Sequence, residues 1–235
     1  MKRFYTDVTA AVEPGGYGIR LDGKPVRTPA RVPLLVPTAP LAQAIVAEWA
    51  AQVETIKPAA MPLTGLANAA IDRIAPDPAH FSAELAQYAA TELLCYRAEA
   101  PAPLVARQAA AWDPLLAWAT ARYDVVFRVT TGIIHVAQPP ATLARLGKAF
   151  AAFNPFRLAA LHPVVTICGS AVIGLAVAER RLDAGQAWAA GQLDEIWQAE
   201  QWGEDPLAIA SREERQRGLA AAVAMLGLLD RGEGG

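Results

Sequence analysis

Residues 17–53 read YGIRLDGKPVRTPARVPLLVPTAPLAQAIVAEWAAQV, and the change of pattern inside this stretch decides the fold. Tyr17, Ile19 and Leu21 alternate with smaller or polar residues, which is the period of a half-buried strand. Asp22-Gly23 then supplies the dipeptide of a two-residue hairpin turn, because both positions need positive φ. Pro25, Pro29, Pro33 and Pro37 follow at four-residue intervals. Proline cannot donate to a sheet ladder, so pieces such as Val32 to Val36 are expected as edge strands or loop segments. From Thr38 the spacing switches to that of a helix: Leu41, Ile45, Trp49 and Gln52 or Val53 form one stripe, and Thr38 is placed to cap a helix running to about Val53.

On the N-terminal side, Gly15-Gly16-Tyr17-Gly18 precedes the hairpin and does not open a helix after a strand, so it reads as turn chemistry and not as a dinucleotide loop. On the C-terminal side, past the proline-containing stretch 56–78, alanine dominates and its propensity makes helix the default. The pattern predicts helices at about 79–97, 103–122, 140–152, 163–181, 184–201 and 206–229. FRVTTGIIHV at 127–136 is rich in β-branched residues around Gly132 and is expected to be extended. The fold class is therefore α+β: a small N-terminal β domain with its connecting helix over 1–75, then a larger α-helical domain over 76–230. No tandem period indicates a solenoid.

Leu158 to Ala178 is a run of 21 residues without formal charge, the length of a membrane span. Pro163 is best placed at the first helical position. The remaining stretch to Ala178 then covers about 24 Å, short of a hydrocarbon core about 30 Å thick. A buried central helix is expected instead, with Gly169, Ser170 and Gly174 allowing neighbours to approach closely.

Of the 235 residues, 54% are hydrophobic and 19% charged, which excludes a disordered tail or a rod. The formal net charge of −2 provides no basic field for nucleic acid or an anionic membrane surface. MKRFYTDV lacks the apolar stretch of an export signal. Cys95 and Cys168 have no metal-type spacing and are expected as two reduced, buried thiols in a cytoplasmic protein. The C-terminal RGEGG is expected to fray.

Chemical motifs are sparse. No phosphate-binding loop occurs, and Cys168-Gly169-Ser170 lacks the glycine two before the serine that a nucleophile elbow requires. His80, His135 and His162 are too scattered for a helical metal motif, so neither metal nor cofactor is expected. Acidic residues do cluster: Asp183, Asp194, Glu195, Glu200, Glu204 and Asp205 contain no lysine or arginine after Arg181 to offset them. Most such runs are a solvated helix face; the alternative is a docking surface for a basic patch. On one helix through 184–202, Trp188, Glu195 and Trp202 would share a face. Tryptophans beside carboxylates commonly anchor interfaces, although any single tryptophan is more often core. A small enzyme using Asp194 and Glu195 as acid and base is the rival reading. Adjacent helical residues point about 100° apart, which places them poorly for one substrate atom.

Six ordered blocks carry a family resemblance: LDGKPVRTP at 21–29, PLAQAIVAEWAAQ at 40–52, MPLTGLANAAID at 61–72, LLCYRA at 93–98, WDPLL at 112–116 and LDEIWQAEQWGED at 193–205. Together they resemble the assembly chaperone that binds the alpha subunit of the catalytic sector of the F-type ATP synthase. The resemblance implies a β domain followed by an α-helical domain, and a function without catalysis or ATP hydrolysis. The chaperone would hold the free alpha subunit, shielding an apolar surface that otherwise aggregates, until the beta subunit replaces it. It would be a monomer when free, without nucleic acid or membrane insertion, in a bacterial cytoplasm; eukaryotic relatives would work in the mitochondrial matrix.

By the same resemblance, Glu48-Trp49 is a family motif and Asp194 stands where members carry a functionally important acid. Asp194, Glu195, Trp202 and Trp188 are the expected partner-binding residues. Trp49, Glu48, Gly169 and Ser170 are the expected structural ones. Glu92 stands where an aspartate is expected, with the charge kept.

Overall fold

The computed structural model describes residues 1–132, 134–203 and 205–232. It is α+β, as expected, with the strands concentrated at the N-terminus. Strands β1 (Val8–Glu13) and β2 (Gly16–Leu21) pair antiparallel, with Glu13 opposite Gly16 across a two-residue turn. At the second turn Asp22 and Gly23 both take positive φ, 48° and 78°, and β2 continues into β3 (Lys24–Pro25) with Leu21 opposite Lys24. β4 (Leu35–Val36) pairs with the other end of β2, so the proline-rich stretch contributes only a two-residue strand. Ile19, Leu34 and Val36 are buried with Leu41 and Ile45 of α1 (Ala39–Ala50). The predicted cap is present: Thr38 Oγ1 accepts from the Leu41 amide.

Residues 62–230 are mainly helical: α2 (Pro62–Ala69) running into a π-helical turn at Ala70–Ile74, α3 (Pro78–Gln87), α4 (Ala102–Tyr123), α5 (Pro140–Ala151), α6 (Pro155–Cys168), α7 (Ala171–Ala178), α8 (Ala184–Gly191), α9 (Leu193–Trp202) and α10 (Pro206–Asp230). The chain divides into two compact units. One comprises Met1–Pro78, Asn154–Ala160 and the segment from Ala221 onward; the other comprises Ala79–Phe153 and Leu161–Ala220. That the N-terminal unit draws on two later segments was not foreseen from sequence.

Three expected helices are corrected. The helix expected at 79–97 stops at Gln87, and Leu93–Cys95 forms a 3-10 turn leading into β5 (Tyr96–Arg97). Glu92 opens that turn, its carboxylate accepting from the Leu94 amide. The helix expected at 163–181 is two helices. α6 begins at Pro155, with Asn154 Oδ1 accepting from the Arg157 amide, so Pro163 lies in its interior. It ends at Gly169, whose φ is +63°, and Ser170 caps α7 by accepting from the Ile173 amide at 2.9 Å. The helix expected at 184–201 breaks at Gln192, whose side-chain amide donates to the Ile167 carbonyl at 2.8 Å.

All eight residues of α7 are buried, and it packs against α4, α5 and α8. An apolar helix without a polar face belongs in a core, which is where this one lies. Among the described residues no helix is long and apolar enough to cross a membrane. Trp112, Leu146, Phe150, Leu161 and Ile173 fill the same unit, and Trp112 Nε1 donates to the Ala190 carbonyl at 2.9 Å. In the 127–136 segment, β6 (Thr130–Thr131) pairs parallel with β5, giving the expected extended conformation there. Ile133, Glu204 and the last three residues of RGEGG lie outside the described residues.

Candidate functional site

LDEIWQAEQW at 193–202 becomes α9, a helix with one buried residue, Leu193, and two carboxylates in its first turn, where the helix dipole favours negative charge. Those carboxylates have different partners. Asp194 Oδ1 accepts from the side-chain amide of buried Gln108 at 2.7 Å, and Gln108 Oε1 in turn accepts from the Ala98 amide. Glu195 accepts from Arg215 at 2.8 Å, and the same arginine reaches Gln192 Oε1 at 2.9 Å. One turn further on, Glu200 is gripped by both terminal nitrogens of Arg107, at 2.6 and 3.1 Å. This bond holds the Glu200 carboxyl below its ordinary range and the guanidinium above its own. Arg107 also lies over the Trp197 ring.

The acidic cluster is therefore less bare than its sequence reads. The arginines that meet it stand on α4 and α10, far from it in the chain, and local charge counting could not find them. Gln108, Arg107, Gln192 and Arg215 are the members of this surface that sequence reasoning missed.

The shared face expected for Trp188, Glu195 and Trp202 does not form, because the break at Gln192 puts Trp188 on α8 and the other two on α9. Trp188 is buried at 7% exposure beside Arg215, with no ring surface to offer a partner. Trp202 is 78% exposed, and Leu207, just beyond it, is 84% exposed. Ile209 is exposed as well, so three large apolar side chains at the end of α9 and the start of α10 meet water, and Asp205 caps α10 by accepting from the Leu207 and Ala208 amides.

The four residues expected to be structural occupy helix ends and contacts. Glu48 reaches from α1 to the start of α2, accepting from the Leu63 and Thr64 amides at 2.7 and 2.8 Å and from the Thr64 hydroxyl at 2.7 Å. Trp49 packs edge-on against Tyr5, whose hydroxyl donates to the Trp49 carbonyl at 2.8 Å; the Trp49 indole N–H is buried without a partner. Gly169 makes the left-handed turn and fully buried Ser170 caps α7. The close helix approach falls to Gly174 instead, where an added Cβ would lie 2.3 Å from Val165 Cγ2.

Buried Glu92 completes that helix start. It accepts from the Val172 amide at 3.1 Å and from the Ser170 hydroxyl, and burial pushes its carboxyl up to about 7. Cys95 and Cys168 are free and buried. Burial first, then the neighbouring Glu92 charge, pushes both thiols up to about 12, far from reactive thiolates. Among the described residues no three potential ligands gather as a metal site.

A family model described as ATP12 chaperone protein matches residues 2–120. The chain is 44% identical to Atp12 from Paracoccus denitrificans, with 97% of each chain covered and a TM-score of 0.92. An aspartate-to-lysine variant of that Paracoccus protein superposes equally well, at 43% identity. The Atu1473 protein from Agrobacterium tumefaciens is 44% identical, covering 97% of this chain and 86% of its own, again with a TM-score of 0.92. The family-model match over half of the chain and the shared fold at 43–44% identity lead to one conclusion: the chain belongs to the ATP12 chaperone family.

Proposed function

We propose that this protein is a chaperone of ATP synthase assembly that binds the free alpha subunit of the catalytic sector and is displaced when the beta subunit arrives. It does so without hydrolysing ATP. Family membership supports the assembly role; the observation that carries the binding mode is the exposure of Trp202, Leu207 and Ile209 at the end of α9 and the start of α10. Large apolar side chains left in water fit a client that exposes an apolar interface before assembly. Asp194 and Glu195, in the first turn of the helix that ends at Trp202, orient the approach of a basic client surface. Their separate engagement by Gln108 and Arg215 favours this positioning role over shared acid–base chemistry on one substrate. Trp188 plays no direct part in docking, because it is buried.

The test is size-exclusion chromatography with light scattering on the protein mixed with isolated alpha or isolated beta subunit, without nucleotide. A one-to-one complex with alpha alone, dissolved by adding beta, is expected. Trp202→Ala and Asp194→Lys should each weaken the complex at least tenfold. Absence of any alpha complex with the unmodified protein overturns the reading.

A further inference from the structure

A second surface lies at the other end of α9, where Leu193 begins the helix. The cleft of about 610 Å³ between α4 and α8 has an apolar floor that includes Ala110, Pro114, Ala189 and Leu193, with Arg107 and Arg181 among its lining residues. One feature points to a ligand. Arg181 lies over the Trp118 ring and is exposed, with no carboxylate paired to it among the described residues. The nearby acids are engaged elsewhere: Glu200 with Arg107, Glu179 with Arg122 and Tyr123, and Asp183 with the Gln186 amide. The cleft therefore pairs an apolar floor with one uncompensated cation, in a chain whose net charge is −2.

We propose that this cleft docks an apolar client segment that carries a carboxylate: the side chains cover the Ala110–Ala189 floor and the carboxylate pairs with Arg181. An arginine beside an aromatic ring suits this task, because the ring orients the guanidinium while leaving its N–H groups free to bind a carboxylate in two places. That the segment belongs to a client rests on the chaperone reading above; the chemistry of the cleft does not.

The test titrates the full-length protein calorimetrically with a blocked leucine–alanine peptide bearing one glutamate and with its lysine counterpart, alongside the alpha-subunit experiment. The glutamate peptide should bind at least tenfold more tightly than the lysine peptide, and Arg181→Glu should reverse that order. Ala189→Trp, on an exposed position, should abolish peptide binding and weaken the alpha complex at least tenfold while leaving the melting temperature within a few degrees. Equal binding of the two peptides, or none, overturns the cleft proposal even if the alpha complex forms. Discrimination by Arg181 without any alpha complex upholds the cleft and overturns the chaperone reading instead.

Discussion

Glu92 and Ser170 hydrogen-bond to one another at the first turn of α7, and the same carboxylate takes the amide of Val172, 80 positions along the chain. The N-terminal amides of a buried helix cannot turn to water, so this carboxylate satisfies donors that would otherwise be orphaned in the core. Glu92→Ala should lower stability by about 2–4 kcal/mol, leaving those amides and the Ser170 hydroxyl without their acceptor. Chemical denaturation at pH 5 would show it as a lower midpoint with an unchanged slope.

The same carboxyl gives the stability a pH dependence. Its folded value of about 7 lies above the unfolded 4.5, so the native state holds the proton more tightly. The associated stabilisation is complete below pH 4.5 and is lost as pH rises through 7, a change on the order of 3 kcal/mol. Glu92→Gln removes a titrating group and should flatten the curve over that window. Urea midpoints at pH 5 and pH 8 measure the difference, and a parallel fall in both proteins would assign the dependence to other groups.

Glu48 plays the corresponding part for α2, from a half-exposed position. Glu48→Ala should cost about 1–2 kcal/mol, the usual consequence of losing a helix cap, and Glu48→Gln about half as much because one acceptor oxygen remains. Thermal melts of the two variants against wild type would rank them.

Trp49 invites a less obvious comparison. Its indole N–H is buried without an acceptor, so Trp49→Phe removes an unsatisfied donor along with some packing and should cost less than about 1.5 kcal/mol. Trp49→Arg puts a charge beside Tyr5 and should cost about 3 kcal/mol or more. Equal melting temperatures for the arginine variant and wild type would show that this side chain is not part of the packed structure.

At Gly191 an added Cβ would meet the Cβ and Sγ of Cys168 at 2.6 Å. Gly191→Ala should therefore destabilise by about 1–3 kcal/mol through overpacking. Adding Cys168→Ala should recover part of that loss, since the sulfur is one of the clashing atoms, and a double-mutant cycle reads the coupling directly.

The features legible in the sequence are those whose chemistry is local. Asp22-Gly23 carries its turn in its own backbone preference, and Thr38 finds its donor three residues on, so hairpin, cap and the β-to-α order could all be read directly. The helices were harder where hydrophobicity ran on without a break. Nothing in the apolar pattern of 158–178 separates α6 from α7; the break depends on Gly169 taking positive φ while Glu92 waits at the next helix start. Gln192 is similar, since an ordinary helix former interrupts α8–α9 by reaching the Ile167 carbonyl. At the candidate site the acids were visible, but their partners Gln108, Arg107 and Arg215 come from other helices. Only the folded chain brings them together, and Trp188 changes from apparent interface residue to core for the same reason.

Thr38, which opens the first helix, donates its hydroxyl to the carbonyl of Leu228, 190 positions later, and Arg157 pairs with Asp230 in the same unit. During synthesis, then, the β-containing unit emerges from the ribosome long before α10 can complete it. Until translation has passed Asp230, that unit is an unfinished body, and a member of a chaperone family is for that interval itself in need of shelter.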